Sequence, residues 1–168
     1  MTPTTPAATE SPRTSSGVRA RTMRAVVKAA TGPGAEIREV PVPECGPGQL
    51  LLRVLRAGVC GTDLHIVSWD AWSASRMRPA VTLGHEYVGE IVERGAGVTP
   101  YEIGERVSCE SHIVCGTCLS CRTGNAHVCE QTRILGVDVN GGFAEYVAVP
   151  AANAWRAPSN VPLEVAGV

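Results

Sequence analysis

Between two glycines the chain reads Gly84-His85-Glu86-Tyr87-Val88-Gly89-Glu90-Ile91-Val92-Glu93-Arg94-Gly95. Its apolar run, Tyr87 to Val92, is too short for a helix and is bounded by Gly, which marks a strand. Working outward, similar runs recur at Arg24 to Ala29, Ile37 to Val42, Leu50 to Val59, Arg106 to Ser108 and Phe143 to Val149. This spacing predicts a mainly β chain, closed into a barrel or folded sheet so that few strand edges stay open. With 18 Gly and 12 Pro against one Phe, three Tyr and three Trp, the composition also favours short strands and turns over a helical bundle. One helix is expected, capped by Thr62 after the Gly61 turn and running through Trp69.

A chain of 168 residues suits one core. Residues 1–22, rich in Thr, Ser, Pro and Ala, have no periodicity and read as a disordered tail ahead of a domain over 23–168. A strand-like run opens at Met23, so that residue as well as Met1 is a candidate start. The formal net charge of -1, without a basic cluster, argues against nucleic acid as partner. No stretch has the length of a membrane span, and the first residues lack the apolar centre of a secretory signal, so a cytoplasmic protein is expected. In that compartment seven Cys point to metal or catalysis before disulfides.

Four of the seven stand close together. Cys115, Cys118, Cys121 and Cys129 follow C-x2-C-x2-C-x7-C within a lobe of about 109–130. Four thiolates from one loop close a tetrahedral shell around zinc with no open position, which makes the site structural. A ferredoxin-type cluster also begins C-x2-C-x2-C but continues with x3-C-P, which this loop does not. Cys45 and Cys109 are left over and read as small buried hydrophobes.

A second group of donors is spread over two turns: Cys60, in Cys60-Gly61-Thr62-Asp63-Leu64-His65, and His85 with Glu86. All three are zinc-ligand types. Their spacing alone reads more readily as a polar His–Glu pair beside a buried Cys. Thr62 alone reads as a helix cap and His65 as a surface histidine. No G-x-G-x-x-G occurs, so no dinucleotide fold is expected within these residues.

The segments CGTDLH, GHEYVGEIVERG, the four-Cys loop and GGFAEYVAVP, in this order, resemble the zinc-dependent medium-chain dehydrogenase/reductase superfamily over nearly all of 23–156. The resemblance implies a GroES-like β-barrel with a catalytic zinc at its cleft and a structural zinc on a protruding lobe. Carried over by position, Cys60 and His85 bind the catalytic zinc, Glu86 is a ligand or an exchangeable neighbour, and Cys115, Cys118, Cys121 and Cys129 bind the structural one. A further ligand and the NAD site of such enzymes lie beyond Val168. Cys109, usually a small residue in the family, and Cys45, often Pro, depart from the pattern without touching a ligand.

The runs Trp69-Asp70-Ala71-Trp72, His112 to Gly116 and Pro150 to Trp155 resemble the branch that oxidises the 3-hydroxyl of L-threonine to 2-amino-3-oxobutanoate. The implied substrate is a small alcohol or hydroxy amino acid, and the implied assembly a homo-oligomer. Thr62 and His65 would carry the released proton outward, being three apart on one helical turn. His112 is expected to border the cleft, His127 to lie beside the lobe's metal or in solvent, and Trp69 and Trp72 to pack or wall the substrate. Two other readings remain open from the residues alone. One is a sorbitol or butanediol dehydrogenase, and the other is a zinc-binding fragment without activity of its own.

Overall fold

The computed structural model describes residues 22–168. The tail and the choice between Met1 and Met23 as start therefore fall outside the described residues, apart from Thr22, which already pairs with Pro41. The first strand, β1 (Thr22–Lys28), buries Met23, Ala25 and Val27 while Thr22 and Arg24 face outward, the alternation of a strand with one covered face. It lies between β2 (Glu36–Pro41) and β4 (Val81–Thr82), both antiparallel to it.

The larger sheet has the order β10-β6-β5-β3-β9. Its members are β3 (Gln49–Ala57), β5 (Tyr87–Arg94), β6 (Arg106–Cys109), β9 (Tyr146–Pro150) and β10 (Ala154–Arg156). Every pairing is antiparallel. The run Leu50-Leu51-Leu52 is buried at all three positions because β3 sits between two neighbours and is covered on both faces. Leu50, Leu52, Tyr87, Ile91, Val107, Val147 and Val149 form the main core. Burying each such aliphatic side chain contributes roughly 1.5–3 kcal/mol.

The two sheets join where Ala25 bridges Ala144 and the Val26 N–H donates to the Phe143 carbonyl at 2.8 Å. The chain is thus mainly β, as the strand spacing predicted, with two sheets joined as one folded β unit of the kind the resemblance implied. A small hairpin, β7 (His112–Ile113) with β8 (Arg133–Ile134), forms the base of the cysteine lobe. The lobe contains a short α-helix, α3 (Leu119–Arg122), followed by a 3-10 turn at Ala126–Val128. Strands of two or three residues, such as β4, β7, β8 and β10, carry too little periodicity to be legible in the sequence.

The expected helix is present as α1 (Gly61–Ser68), but its cap is not Thr62. Cys60 takes the N-cap position, and Asp63 reaches back to accept the Cys60 N–H at 2.9 Å. Thr62 is left inside the first turn. The helix starts two residues earlier than expected, which leaves the Thr62 hydroxyl past the capping position. A second helix, α2 (Ala71–Arg76), was not expected; Asp70 caps it by accepting the Ser73 N–H. Ile66 of α1 and Met77 after α2 pack with Val81, Leu83 and Val137 in a second apolar cluster. The last element is α4 (Leu163–Ala166). Among the described residues, no helix is long and apolar enough to cross a membrane.

Candidate metal centres

The lobe brings all four of its expected sulfur atoms together. The donor atoms of Cys115, Cys118, Cys121 and Cys129 lie within 4.8 Å of one another. Cys115 Sγ is 4.0 Å from Cys121 Sγ, and Cys118 Sγ is 3.9 Å from Cys129 Sγ. A tetrahedron of sulfurs about 2.3 Å from a central zinc has edges of about 3.8 Å, so the spacing fits that ion.

The backbone supports the same reading, because N–H groups point at the sulfurs. Cys115 Sγ accepts from Thr117 N at 3.5 Å and Cys118 N at 3.3 Å, while Cys129 Sγ accepts from Cys115 N and Gln131 N at 3.4 Å each. Donors stabilise a thiolate over a thiol. The Thr117 and Cys118 N–H groups hold the Cys115 thiol down to about 6. Desolvation and the neighbouring sulfurs, Cys118 first, push the Cys121 thiol up to about 12.

The second group forms where α1 meets the loop before β5. Cys60, His85 and Glu86 bring their donor atoms within 4.8 Å of one another, although two chain segments supply them. Glycine makes the approach possible. Gly84, at φ +92, precedes His85, and a Cβ there would lie 2.5 Å from the Phe143 ring. A Cβ on Gly141 would fall 1.9 Å from the Gly84 carbonyl oxygen. The 82–84 and 141–143 segments are instead joined backbone to backbone, with Gly141 N, Gly142 N and Phe143 N donating to the Thr82, Gly84 and Leu83 carbonyls at 2.8 Å each. Gly58 likewise leaves room for Glu86, whose Oε2 would stand 3.0 Å from a Cβ at position 58.

Behind His85 lies a residue that the sequence reading passed over. Asp63 is buried, and its Oδ1 faces His85 Nδ1 at 3.7 Å. Neither atom has a hydrogen-bond partner. A carboxylate behind one ring nitrogen turns the other nitrogen toward a metal and fixes its tautomer, so the pair fits an ion-binding histidine. Burial pushes the Asp63 carboxyl up, partly offset by the Cys60 N–H and by His85.

The geometry fits a known group of domains. The family model of the alcohol dehydrogenase GroES-like domain matches residues 46–159. The chain belongs to this family. An L-threonine 3-dehydrogenase of Caldanaerobacter subterraneus is 51% identical over 146 residues, which are 87% of this chain and 42% of the relative. The cobalt- and zinc-bound thermostable alcohol dehydrogenase of Pyrobaculum aerophilum superposes with a TM-score of 0.73 at 35% identity, over 84% of this chain and 43% of that one. The acetophenone reductase of Geotrichum candidum in complex with NAD does so with a TM-score of 0.76 at 29% identity, over 88% and 43%. This GroES-like chain thus spans less than half the length of the relatives it matches.

The remaining candidates are placed as follows. Thr62 Oγ1 lies 3.8 Å from Cys60 Sγ, beside the second group. His65, one turn on, is exposed and pairs with Asp70 at 2.7 Å. His112 is exposed and bonded to Glu110, and His127 is exposed on the lobe. Trp69 packs against the second apolar cluster, whereas Trp72 is open to solvent. Of the two spare cysteines, Cys109 packs against the main core. Cys45 donates its thiol to the Gln49 carbonyl at 3.4 Å.

Proposed function

We propose that these residues are the metal-binding portion of a zinc-dependent, NAD-linked alcohol dehydrogenase whose substrate is L-threonine, oxidised at its 3-hydroxyl to 2-amino-3-oxobutanoate. The observation that carries the reading is the group Cys60, His85 and Glu86, three donors within 4.8 Å with a buried carboxylate behind the histidine. Three protein ligands leave coordination free for substrate, unlike the closed four-sulfur shell. When bound there, zinc acts as a Lewis acid that makes an alcohol proton easier to remove.

The chain's own residues supply the rest. Cys60 and His85 hold the ion, with Glu86 as ligand or exchangeable neighbour. Thr62, beside Cys60, takes the hydroxyl proton, and His65 on the exposed face of α1 passes it to solvent. Cys115, Cys118, Cys121 and Cys129 hold a second zinc that fixes the lobe. Unpaired thiols at both sites suit the reducing cytosol. Hydride removal needs a nicotinamide against the substrate, and these residues carry no phosphate-binding glycine motif. They should therefore bind metal without turnover by themselves. The identity to the threonine enzyme, together with Trp69-Asp70-Ala71-Trp72, favours threonine over polyols.

Elemental analysis tests the metal part. Two zinc per chain, falling to one in Cys115→Ser, is the expected result; one falling to none means that the second group does not hold metal. The longer protein should turn over L-threonine faster than sorbitol or 2,3-butanediol, and the reverse order retires the substrate assignment.

A further inference from the structure

His65 is the exposed member of the proposed relay, with 63% of its side chain open to solvent, so packing does not fix its ring. A hydrogen bond does. His65 Nδ1 lies 2.7 Å from Asp70 Oδ2, while the other Asp70 oxygen accepts the Ser73 N–H at 2.9 Å and caps α2. The contact depends on the turn between the helices. Trp69 ends α1 in the left-handed region at φ 57, and the Asp70 N–H then returns to the His65 carbonyl at 3.3 Å.

The turn is itself pinned from below. The Trp69 ring lies under the Lys28 ammonium, 4.7 Å from Nζ to centroid. Lys28 is buried and donates to the carbonyls of Gly32 and Gly34, and the Gly34 N–H donates to the Val67 carbonyl of α1 at 2.7 Å. The other charged groups around the helix pair are engaged elsewhere. Arg76 of α2 pairs with Asp138, and Asp63 of α1 bonds the Cys60 N–H and faces His85. Among the described residues, Asp70 is the one group that hydrogen-bonds the His65 ring.

A neutral imidazole carries one N–H, and a carboxylate only accepts. We propose that Asp70 is a positioning residue for His65: it holds the ring in the Nδ1–H tautomer, so that Nε2 keeps the lone pair and is the nitrogen that accepts the relayed proton before releasing it to solvent. The role in proton transfer rests on the dehydrogenase reading, whereas the tautomer does not. Without Asp70 the ring would turn freely and the acceptor nitrogen would be undefined.

Long-range proton–nitrogen NMR of the ¹⁵N-labelled 168-residue chain, loaded with zinc and kept above the pH of imidazole protonation, reads the tautomer directly. Two variants keep a side-chain oxygen for the α2 cap, Asp70→Ser and Asp70→Asn. The expected result is an Nδ1–H ring at His65 in the parent. The ring should lose that preference in Asp70→Ser and invert it in Asp70→Asn, where an amide N–H₂ faces Nδ1. The Ser73 amide signal, unmoved in both, shows that the cap is intact. An Nε2–H ring in the parent, or ring signals that do not change in either variant, overturns the proposal.

In the longer protein Asp70→Ser should lower kcat for threonine by about tenfold with KM nearly unchanged, a fraction of what a placed proton acceptor contributes. An altered ring with unchanged kcat overturns the positioning role. Ring signals as expected in a longer protein that oxidises no alcohol would instead retire the dehydrogenase reading and leave the tautomer assignment standing.

Discussion

Asp63 connects two tasks within a single side chain: it holds the start of α1 through the Cys60 N–H, and it faces His85 with its second oxygen. Removing its charge should therefore weaken the second metal site and leave the lobe alone. In Asp63→Asn we expect the zinc affinity of the Cys60–His85–Glu86 group to drop by about 10–100-fold, the usual effect of removing a partner behind a metal-binding histidine. Competition with a chromophoric chelator would show one weakened site and one unchanged; two unchanged sites would mean that the carboxylate does not orient the ring. The four-Cys loop was legible from its spacing, and Cys60, His85 and Glu86 through the resemblance of CGTDLH and GHEYVGEIVERG to the family's motifs. Asp63 was not, since a carboxylate in the first turn of a helix looks the same whether it serves the helix or a residue 22 positions further along the chain. Thr62 misled because a hydroxyl just after a glycine is a usual cap, whereas the helix here already begins at Gly61 with Cys60 as its cap.

At the scale of elements, the seam between segments 82–84 and 141–143 positions His85 by direct contact of backbones. A methyl group has no space there. Gly141→Ala would place a Cβ 1.9 Å from the Gly84 oxygen, and because that neighbour is backbone it has to move rather than rotate away. The expected cost is about 2–4 kcal/mol, at or above the usual range for overpacking. Chemical denaturation would measure it, and zinc analysis of the folded fraction should show the second site emptied and the four-sulfur site filled. The long strands β1, β3, β5 and β9 were readable because each carries an alternating or continuous apolar run. Helix α2 was not, since Ala71-Trp72-Ser73-Ala74-Ser75-Arg76 has almost no apolar face, and its cap Asp70 and its Arg76–Asp138 pair supply what periodicity does not.

For the whole molecule, the two centres should fail separately. A chelator strong enough to empty the lobe should release the amides of residues 115–129 to hydrogen exchange, while those of β3 and β5, bonded on both sides, stay protected. Simultaneous loss of protection in both regions would show that the lobe's metal holds the barrel as well. Alkaline pH acts on the core instead. Burial pushes the Cys109 thiol up to about 12 from an ordinary 9.0, slightly offset by the Tyr87 hydroxyl. A raised value means that the folded chain keeps the proton while the unfolded chain gives it up. The contribution is therefore present below pH 9.0 and is lost as the pH rises toward about 12. Cys109→Ala should flatten the fall in unfolding free energy across that window, and an unchanged slope would place the effect on other groups.

The donors of the lobe all come from one short stretch, 115–129, whereas the other site depends on a seam closed by residues 141–143. On a ribosome these two facts set a sequence in time. The four sulfurs emerge together and would be placed to capture an ion while the seam and β9 are still inside the ribosome, so the proposed structural site would form first. The Cys60–His85–Glu86 group, whose seam emerges later, would be completed on a chain whose lobe is already formed.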